Sequence, residues 1–188
     1  VPSGSVLDEF ARSIDIQVLS TEQFLRVLET LQMLDSAGAG IELSSLSTDV
    51  LAEMVATATR DQLRGLAKHP QLRTLFLEEV FRRMADHFDA ERAGDADIVV
   101  TWRFPNGDDF DRYQTVIENG RCVSTADCVL TPDTTITAPV EDFLRVATGN
   151  ARAASQFVRG KLKVKGDYTP ALRLLSFFDL PGGNANGA

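Results

Sequence analysis

The sequence predicts an α+β fold, a twisted, mainly antiparallel sheet of about five strands covered by helices and preceded by a small all-helical region. Three observations lead there. Up to Asp97 the apolar residues recur only at helical spacing, between capping residues. From Ile98 to Thr125 the pattern switches to period two and is punctuated by turn dipeptides. Beyond Thr134 short strands alternate with short amphipathic helices, each helix ended by a glycine or opened by a proline.

In order along the chain, Val6 to Ser13 reads as one short helix. Ser20 with Gln23 forms a capping-box pattern, and Phe24, Val27, Leu28, Leu31 and Leu34 follow on one face until Ala37-Gly38-Ala39-Gly40 stops the helix. Ser47 or Thr48 caps a helix carrying Val50, Leu51, Met54 and Val55. Thr59 and Gln62 repeat the capping box ahead of Leu63 and Leu66. Pro70 suits the first turn of a longer helix with a wide stripe of Leu72, Phe76, Leu77, Val80, Phe81, Met84 and Phe88. Glu78, Glu79, Arg82, Arg83 and Asp86 are assigned to its outer face.

Ile98, Val100, Trp102 and Phe104 alternate with Val99, Thr101 and Arg103, the signature of a half-buried strand. Pro105-Asn106-Gly107-Asp108 reads as a turn, Tyr113 to Glu118 as a second strand, and Asn119-Gly120 as a type I′ hairpin into Arg121 to Thr125. Thr134 to Thr137 is a fourth strand. Val140 to Thr148 and Ala151 to Arg159 are helices, and Lys161 to Lys165 is the fifth strand. Pro170 opens a last helix with Leu172, Leu175 and Phe178 on one side, and a flexible tail follows from Pro181. The domains expected are therefore a helical extension over 1–69, a sheet domain over 70–180 and a tail over 181–188.

Composition narrows the function. The chain carries 27 acids against 19 bases, a net charge of −8, which opposes nucleic-acid binding. No apolar run reaches the roughly 18 residues of a membrane span. The start at Val1, without Met, reads as a trimmed or processed chain, and Val1 to Ser5 lack the features of a signal peptide. Cys122 and Cys128 read as free thiols in a reducing cytoplasm. His69 and His87 are too far apart for a helical zinc pair, and His69 reads as a loop or cap residue. Asp108, Asp109 and Asp111 form a turn-borne acidic cluster without the glycine and final Glu of a calcium loop. Nucleophile-elbow, phosphate-loop and dinucleotide signatures are missing, so neither catalysis nor a cofactor is expected.

The succession Pro132 to Thr137, Val140-Glu141-Asp142-Phe143-Leu144-Arg145-Val146-Ala147-Thr148-Gly149, Gly160-Lys161-Leu162-Lys163-Val164-Lys165-Gly166-Asp167 and the helix from Thr169-Pro170 resembles the C-terminal half of the sterol carrier protein 2 (SCP2) family. The resemblance covers Leu72 to Asp179, and the arrangement with an N-terminal helical extension is similar to actinobacterial SCP2-domain proteins. It implies an SCP2-like fold around an apolar cavity, with non-catalytic binding and transfer or presentation of a hydrophobic ligand such as a sterol, fatty acid or acyl-CoA.

Helix and strand phase put Trp102, Phe104, Phe143, Val146, Ala147, Phe157, Leu172, Leu175 and Phe178 on elements meeting at one sheet face. Pattern alone reads that set as a filled core, and the resemblance reads it as a ligand pocket. The Lys161, Lys163 and Lys165 row is either a solvated edge that discourages aggregation or a docking stripe for anionic headgroups or an acidic partner. Two further classes stay open. One is an interaction module whose N-terminal helices bind a protein partner or a second copy. The other is an enzyme acting on an apolar natural product through Asp97, Tyr113 or Tyr168.

Overall fold

The computed structural model describes residues 6–38 and 43–180. The expected tail from Pro181, the Val1 to Ser5 segment, and Ala39 and Gly40 lie outside the described residues. The chain forms two compact units, Val1–Glu79 and Val80–Ala188.

The first unit is helical, with α1 (Val6–Ser13), a short 3-10 helix (Ile16–Val18), α2 (Thr21–Ser36), α3 (Thr48–Thr57), α4 (Arg60–Lys68) and the start of α5 (Pro70–Asp86). The caps are those the sequence predicts. Ser20 Oγ accepts from Gln23 N and Gln23 Oε1 accepts from Ser20 N, at 3.1 and 2.9 Å. Ser47 caps α3 through Val50 N, and Thr59 with Gln62 closes a second capping box. His69 accepts from Leu72 N at Nδ1. Its proton therefore sits on Nε2, 2.8 Å from Glu29 Oε1. His69 thus caps α5.

Gln62 does more than cap. Its side chain is 1% exposed, and its amide donates to Ile16 O at 2.8 Å and Leu19 O at 2.9 Å. One buried amide thus ties the entry to α2 onto α4. Close approach of the same two helices explains Gly65, where an added Cβ would lie 2.6 Å from Thr21 Cγ2.

On α5, Leu72, Phe76, Leu77, Val80, Phe81 and Met84 are buried as expected. Glu78, Arg82 and Asp86 are exposed. Glu79 and Arg83 correct the expected outer face, since both are buried. Both side chains have polar or electrostatic partners, so a charged residue at an outward helical position need not stand in water.

The second unit holds the end of α5, a four-residue helix α6 (Ala90–Ala93), and a five-stranded sheet of β1 (Ile98–Asn106), β2 (Asp109–Glu118), β3 (Arg121–Thr125), β4 (Thr134–Thr137) and β5 (Lys163–Gly166). The order is β3-β2-β1-β4-β5. β1 and β4 run parallel and every other pair is antiparallel. Between β4 and β5 come α7 (Val140–Ala147) and α8 (Ala153–Val158), and after β5 comes α9 (Tyr168–Leu174), continued by a 3-10 helix over Leu175–Phe177.

Several boundaries differ from expectation, among them the start of α8 at Ala153 rather than Ala151. β2 starts at Asp109, because Pro105 and Asn106 stay in register with Phe110 and Asp109, and only Gly107-Asp108 turns. Two members of the acidic cluster, Asp109 and Asp111, are therefore strand residues, and among the described residues no acidic cluster could hold a metal ion. α9 starts at Tyr168, capped by Asp167 Oδ1 accepting from Thr169 N, with Pro170 inside its first turn. β5 starts two residues late, at Lys163. The type I′ reading of Asn119-Gly120 matches φ of 51° and 71°.

Register places Ile98, Val100, Trp102 and Phe104 on one face with Tyr113, Thr115 and Ile117 of β2, Ile136 of β4 and Val164 of β5. Thr101 and Gln114 lie on the other face, where the Gln114 amide bonds Thr101 Oγ1 and both backbone groups of Leu130. Both cysteines are free, and burial pushes the Cys122 thiol up to about 12. Among the described residues no helix is long and apolar enough to cross a membrane.

Gln62→Leu should cost the helical unit on the order of 2–4 kcal/mol, because two carbonyls lose their buried donors. Gln23→Leu, which removes only a local cap bond, should cost about 1 kcal/mol. Urea unfolding followed by circular dichroism compares the two, and equal losses would refute the tie between Gln62 and the α2 entry.

Candidate functional site

The inner face of the sheet is packed in its middle and open toward one edge. In the middle, the rings of Phe81, Trp102, Phe104, Tyr113 and Phe143 cluster. Phe81 and Phe143 lie 5.1 Å apart, as do Trp102 and Phe143, and Phe104 and Phe143 are 4.9 Å apart. Trp102 Nε1 donates to Thr115 Oγ1 at 2.9 Å, and that hydroxyl lies 2.8 Å from Ser124 Oγ, so the buried polar atoms at this ring are satisfied.

Toward the β4–β5 edge the covering side chains shrink. Ala153 and Ala154 of α8 and Ala171 of α9 stand where larger residues would meet Ile136 and Val164. A cavity of about 150 Å³ results, bounded by Trp102, Ile136 and Val164 below, Phe143 and Val146 of α7 behind, and α8, Leu162 and α9 above. Every lining residue is apolar except Tyr168. The outer wall is thin, because α8 is six residues long and buries only Gln156. Gln156 O accepts from Lys161 N and Leu162 N, which fastens the end of α8 to the approach to β5. The Phe157 ring meets Tyr168 edge-on at 5.5 Å, joining α8 to α9 across the opening.

Of the nine residues read from helix and strand phase, Trp102, Phe143, Val146, Phe157, Leu172 and Leu175 stand on this cavity wall. The other three do not. Phe104 is packed among the cluster rings with no exposure. Ala147 is buried on α7 and does not line the cavity. Phe178 follows the last helix and pairs with Phe88 at 5.7 Å, where Asp179 N also donates to His87 O. Ile136, Ala153, Ala154, Val158, Leu162, Val164, Tyr168 and Ala171 complete the wall. Leu162 and Val164 alternate toward the sheet's apolar face in the sequence, which is the signal that could have found them.

The polar candidates separate in the same way. Tyr168 is on the wall, Tyr113 is buried beside Phe81, and Asp97 is exposed outside the cavity. Lys163 and Lys165 are exposed on the edge strand β5, with Val164 between them on the cavity side.

The helical unit has a smaller apolar cavity of about 50 Å³ among Leu7, Phe24, Leu28 and Phe76. That is near the size of a packing defect rather than a ligand site.

With this geometry in view, comparisons place the chain among known proteins. The family described as alkyl sulfatase C-terminal matches residues 65–184, nearly the stretch on which the SCP2 resemblance rests. No curated protein sequence matches the chain. Among solved structures it is similar to the stereoselective inverting sec-alkylsulfatase Pisa1 from Pseudomonas sp., at 14% identity and a TM-score of 0.51. The similarity covers 95% of this chain and 32% of that one, so the chain spans about a third of that enzyme's length. It is also similar to sterol carrier protein 2 like 2 from Aedes aegypti, at 17% identity and a TM-score of 0.43 over 54% of this chain and 91% of that one. For sterol carrier protein 2 from Yarrowia lipolytica the values are 21%, 0.41, 50% and 88%. The strands, the DFL helix, the second helix, the edge strand and the last helix follow one another in the succession the sequence predicts.

The cavity's edge depends on one glycine. Gly166 has φ of +100°, and an added Cβ would lie 2.8 Å from Asp133 O, which also accepts from Asp167 N. Gly166→Ala should therefore cost on the order of 1–3 kcal/mol. Denaturant unfolding read by the sole tryptophan, Trp102, measures it, and a loss below about 0.5 kcal/mol would contradict the constraint.

Proposed function

This chain belongs to the alkyl sulfatase C-terminal family, and we propose that it binds hydrophobic ligands non-catalytically in the cavity of its second unit and transfers or presents them. Residues 70–180 form the ligand-binding domain in this reading, and residues 1–69 are an extension to it. The observation that carries the proposal is the apolar cavity of about 150 Å³ behind a thin, partly exposed wall.

Its chemistry suits an aliphatic chain or ring. Burying apolar ligand surface contributes about 25 cal/mol per Å², so affinity needs no specific polar partner. The lining offers only the Tyr168 hydroxyl as a polar group, which favours binding over chemistry and broad over narrow selectivity. A cavity of this size admits a benzene-sized ring or a short run of methylenes. A sterol or long acyl chain fits when α8 and α9 part at the Phe157–Tyr168 contact. The family's name makes a long-chain alkyl sulfate the first ligand to test beside fatty acids, acyl-CoA and sterols. The comparisons bring no support for a homodimer or a protein partner at the N-terminal helices.

Ala154→Phe tests the reading, because residue 154 is exposed toward solvent and also borders the cavity, so a larger ring can enter without disturbing the core. Titration with a fluorescent fatty acid and with dodecyl sulfate below its micellar range should show saturable binding and a change in Trp102 emission. Ala154→Phe should weaken both by about tenfold or more, roughly 1.4 kcal/mol, with an unchanged unfolding midpoint. Binding that is absent from the parent protein, or unaltered by Ala154→Phe and silent at Trp102, would contradict it.

A further inference from the structure

The opening of the cavity carries an unusual surface. Val158 is 84% exposed, Leu172 60%, Tyr168 52% and Phe157 37%, and all four line the cavity. These large apolar residues from two neighbouring elements are thus turned to solvent around one opening, which marks an interaction surface rather than scattered exposure.

Charge identifies its partner. Between Arg152 and Arg173 the chain carries Arg152, Arg159, Lys161, Lys163, Lys165 and Arg173 against one carboxylate, Asp167, in a protein whose net charge is −8. Some arginines elsewhere are engaged, as in Arg12 with Glu53, Arg82 with Asp86 and Arg92 with Asp179. None of these six cations forms an ion pair with a described residue, and Lys163 and Lys165 flank Val164 of the cavity wall. Arg159 directly follows Val158, and Arg173 directly follows Leu172. Exposed apolar side chains interleaved with unpaired cations match the two layers of an anionic bilayer surface, headgroups outside and acyl chains beneath.

We propose that the α8–β5–α9 face docks on anionic membranes, with Val158, Leu172 and Tyr168 entering the interface and the lysine row of β5 meeting lipid phosphates. The inference rests on the cavity being a lipid site. A mouth seated on the bilayer lets a chain pass between acyl layer and cavity without crossing water. The basic stretch is where attraction to a negative surface concentrates in an otherwise acidic chain. An acidic protein would satisfy the cations but gives no reason for the apolar residues to gather at the rim of a cavity.

Co-sedimentation of the full chain with phosphatidylcholine vesicles, with and without about one part in four phosphatidylglycerol, tests this. The protein should bind the anionic vesicles about tenfold or more better than the neutral ones, and raised salt should weaken the binding. Lys163→Glu with Lys165→Glu should reduce binding by about thirtyfold. Arg26→Glu with Lys68→Glu, an equal charge change on exposed residues of the helical unit, should leave it within about twofold. Val158→Asp should weaken binding that persists at high salt. Equal binding to both vesicles, none to either, or no response to the β5 reversal overturns the proposal. Retention on polyglutamate without vesicle binding overturns it in favour of an acidic protein partner.

Fatty-acid titration without vesicles separates this from the cavity reading. The β5 double reversal should bind the acid as the parent does. A parent protein that binds the acid but no vesicle leaves the cavity reading standing and removes the docking face.

Discussion

The second unit is organised by the contact between Trp102 of β1 and Phe143 of α7, with ring centroids 5.1 Å apart. Phe143 also meets Phe81 of α5 and Phe104 of β1, so one ring joins a long helix, the central strand and the helix that follows β4. Burying each such phenylalanine contributes about 1.5–3 kcal/mol, and each aromatic pair about 0.5–1.5 kcal/mol more. This cluster fixes α7 over the centre of the sheet. It cannot also fill the β4–β5 edge, and the residues that reach that edge from α8 and α9 include three alanines. The cavity is what remains between a rigid aromatic floor and a short, weakly buried wall.

That division of labour has a dynamic consequence. The floor is tied by Trp102 to Thr115 and Ser124 and by the strand register. The wall is held by the Gln156 carbonyl, the Phe157–Tyr168 edge contact and the Asp167 cap. Elements with few buried side chains open at lower free energy than the core around them. In the proposed reading, separation of α8 from α9 is the route for a ligand larger than the resting cavity. The stretch that follows α9 is anchored separately, because Phe178 pairs with Phe88 and Asp179 with Arg92.

Much of this was legible in the sequence, for identifiable reasons. Capping boxes at Ser20 and Thr59 are local, so they were readable without tertiary information, as was the positive-φ pair Asn119-Gly120. Strand alternation revealed that Trp102 and Phe104 share a face. It did not reveal how far along the strand each helix lies, so it could not tell that Phe104 falls under the packed cluster while Trp102 borders the cavity. The start of β2 was hidden because Asp109 and Asp111 read as turn residues, although pairing with β1 holds them in register. Burial of Glu79 and Arg83 was invisible for the opposite reason, since long charged side chains look solvated whatever covers them. Whether apolar surplus becomes core or cavity is decided by small residues such as Ala171, whose meaning appears only once their neighbours are in place.

The most direct measurement is native mass spectrometry of the purified protein, with organic extraction of anything that accompanies it. The account predicts a bound apolar or amphiphilic molecule at near-stoichiometric amount, displaced by added fatty acid. A clean apo mass, together with no saturable uptake of fatty acid or alkyl sulfate, would contradict it and leave the space beside Trp102 as a packing defect.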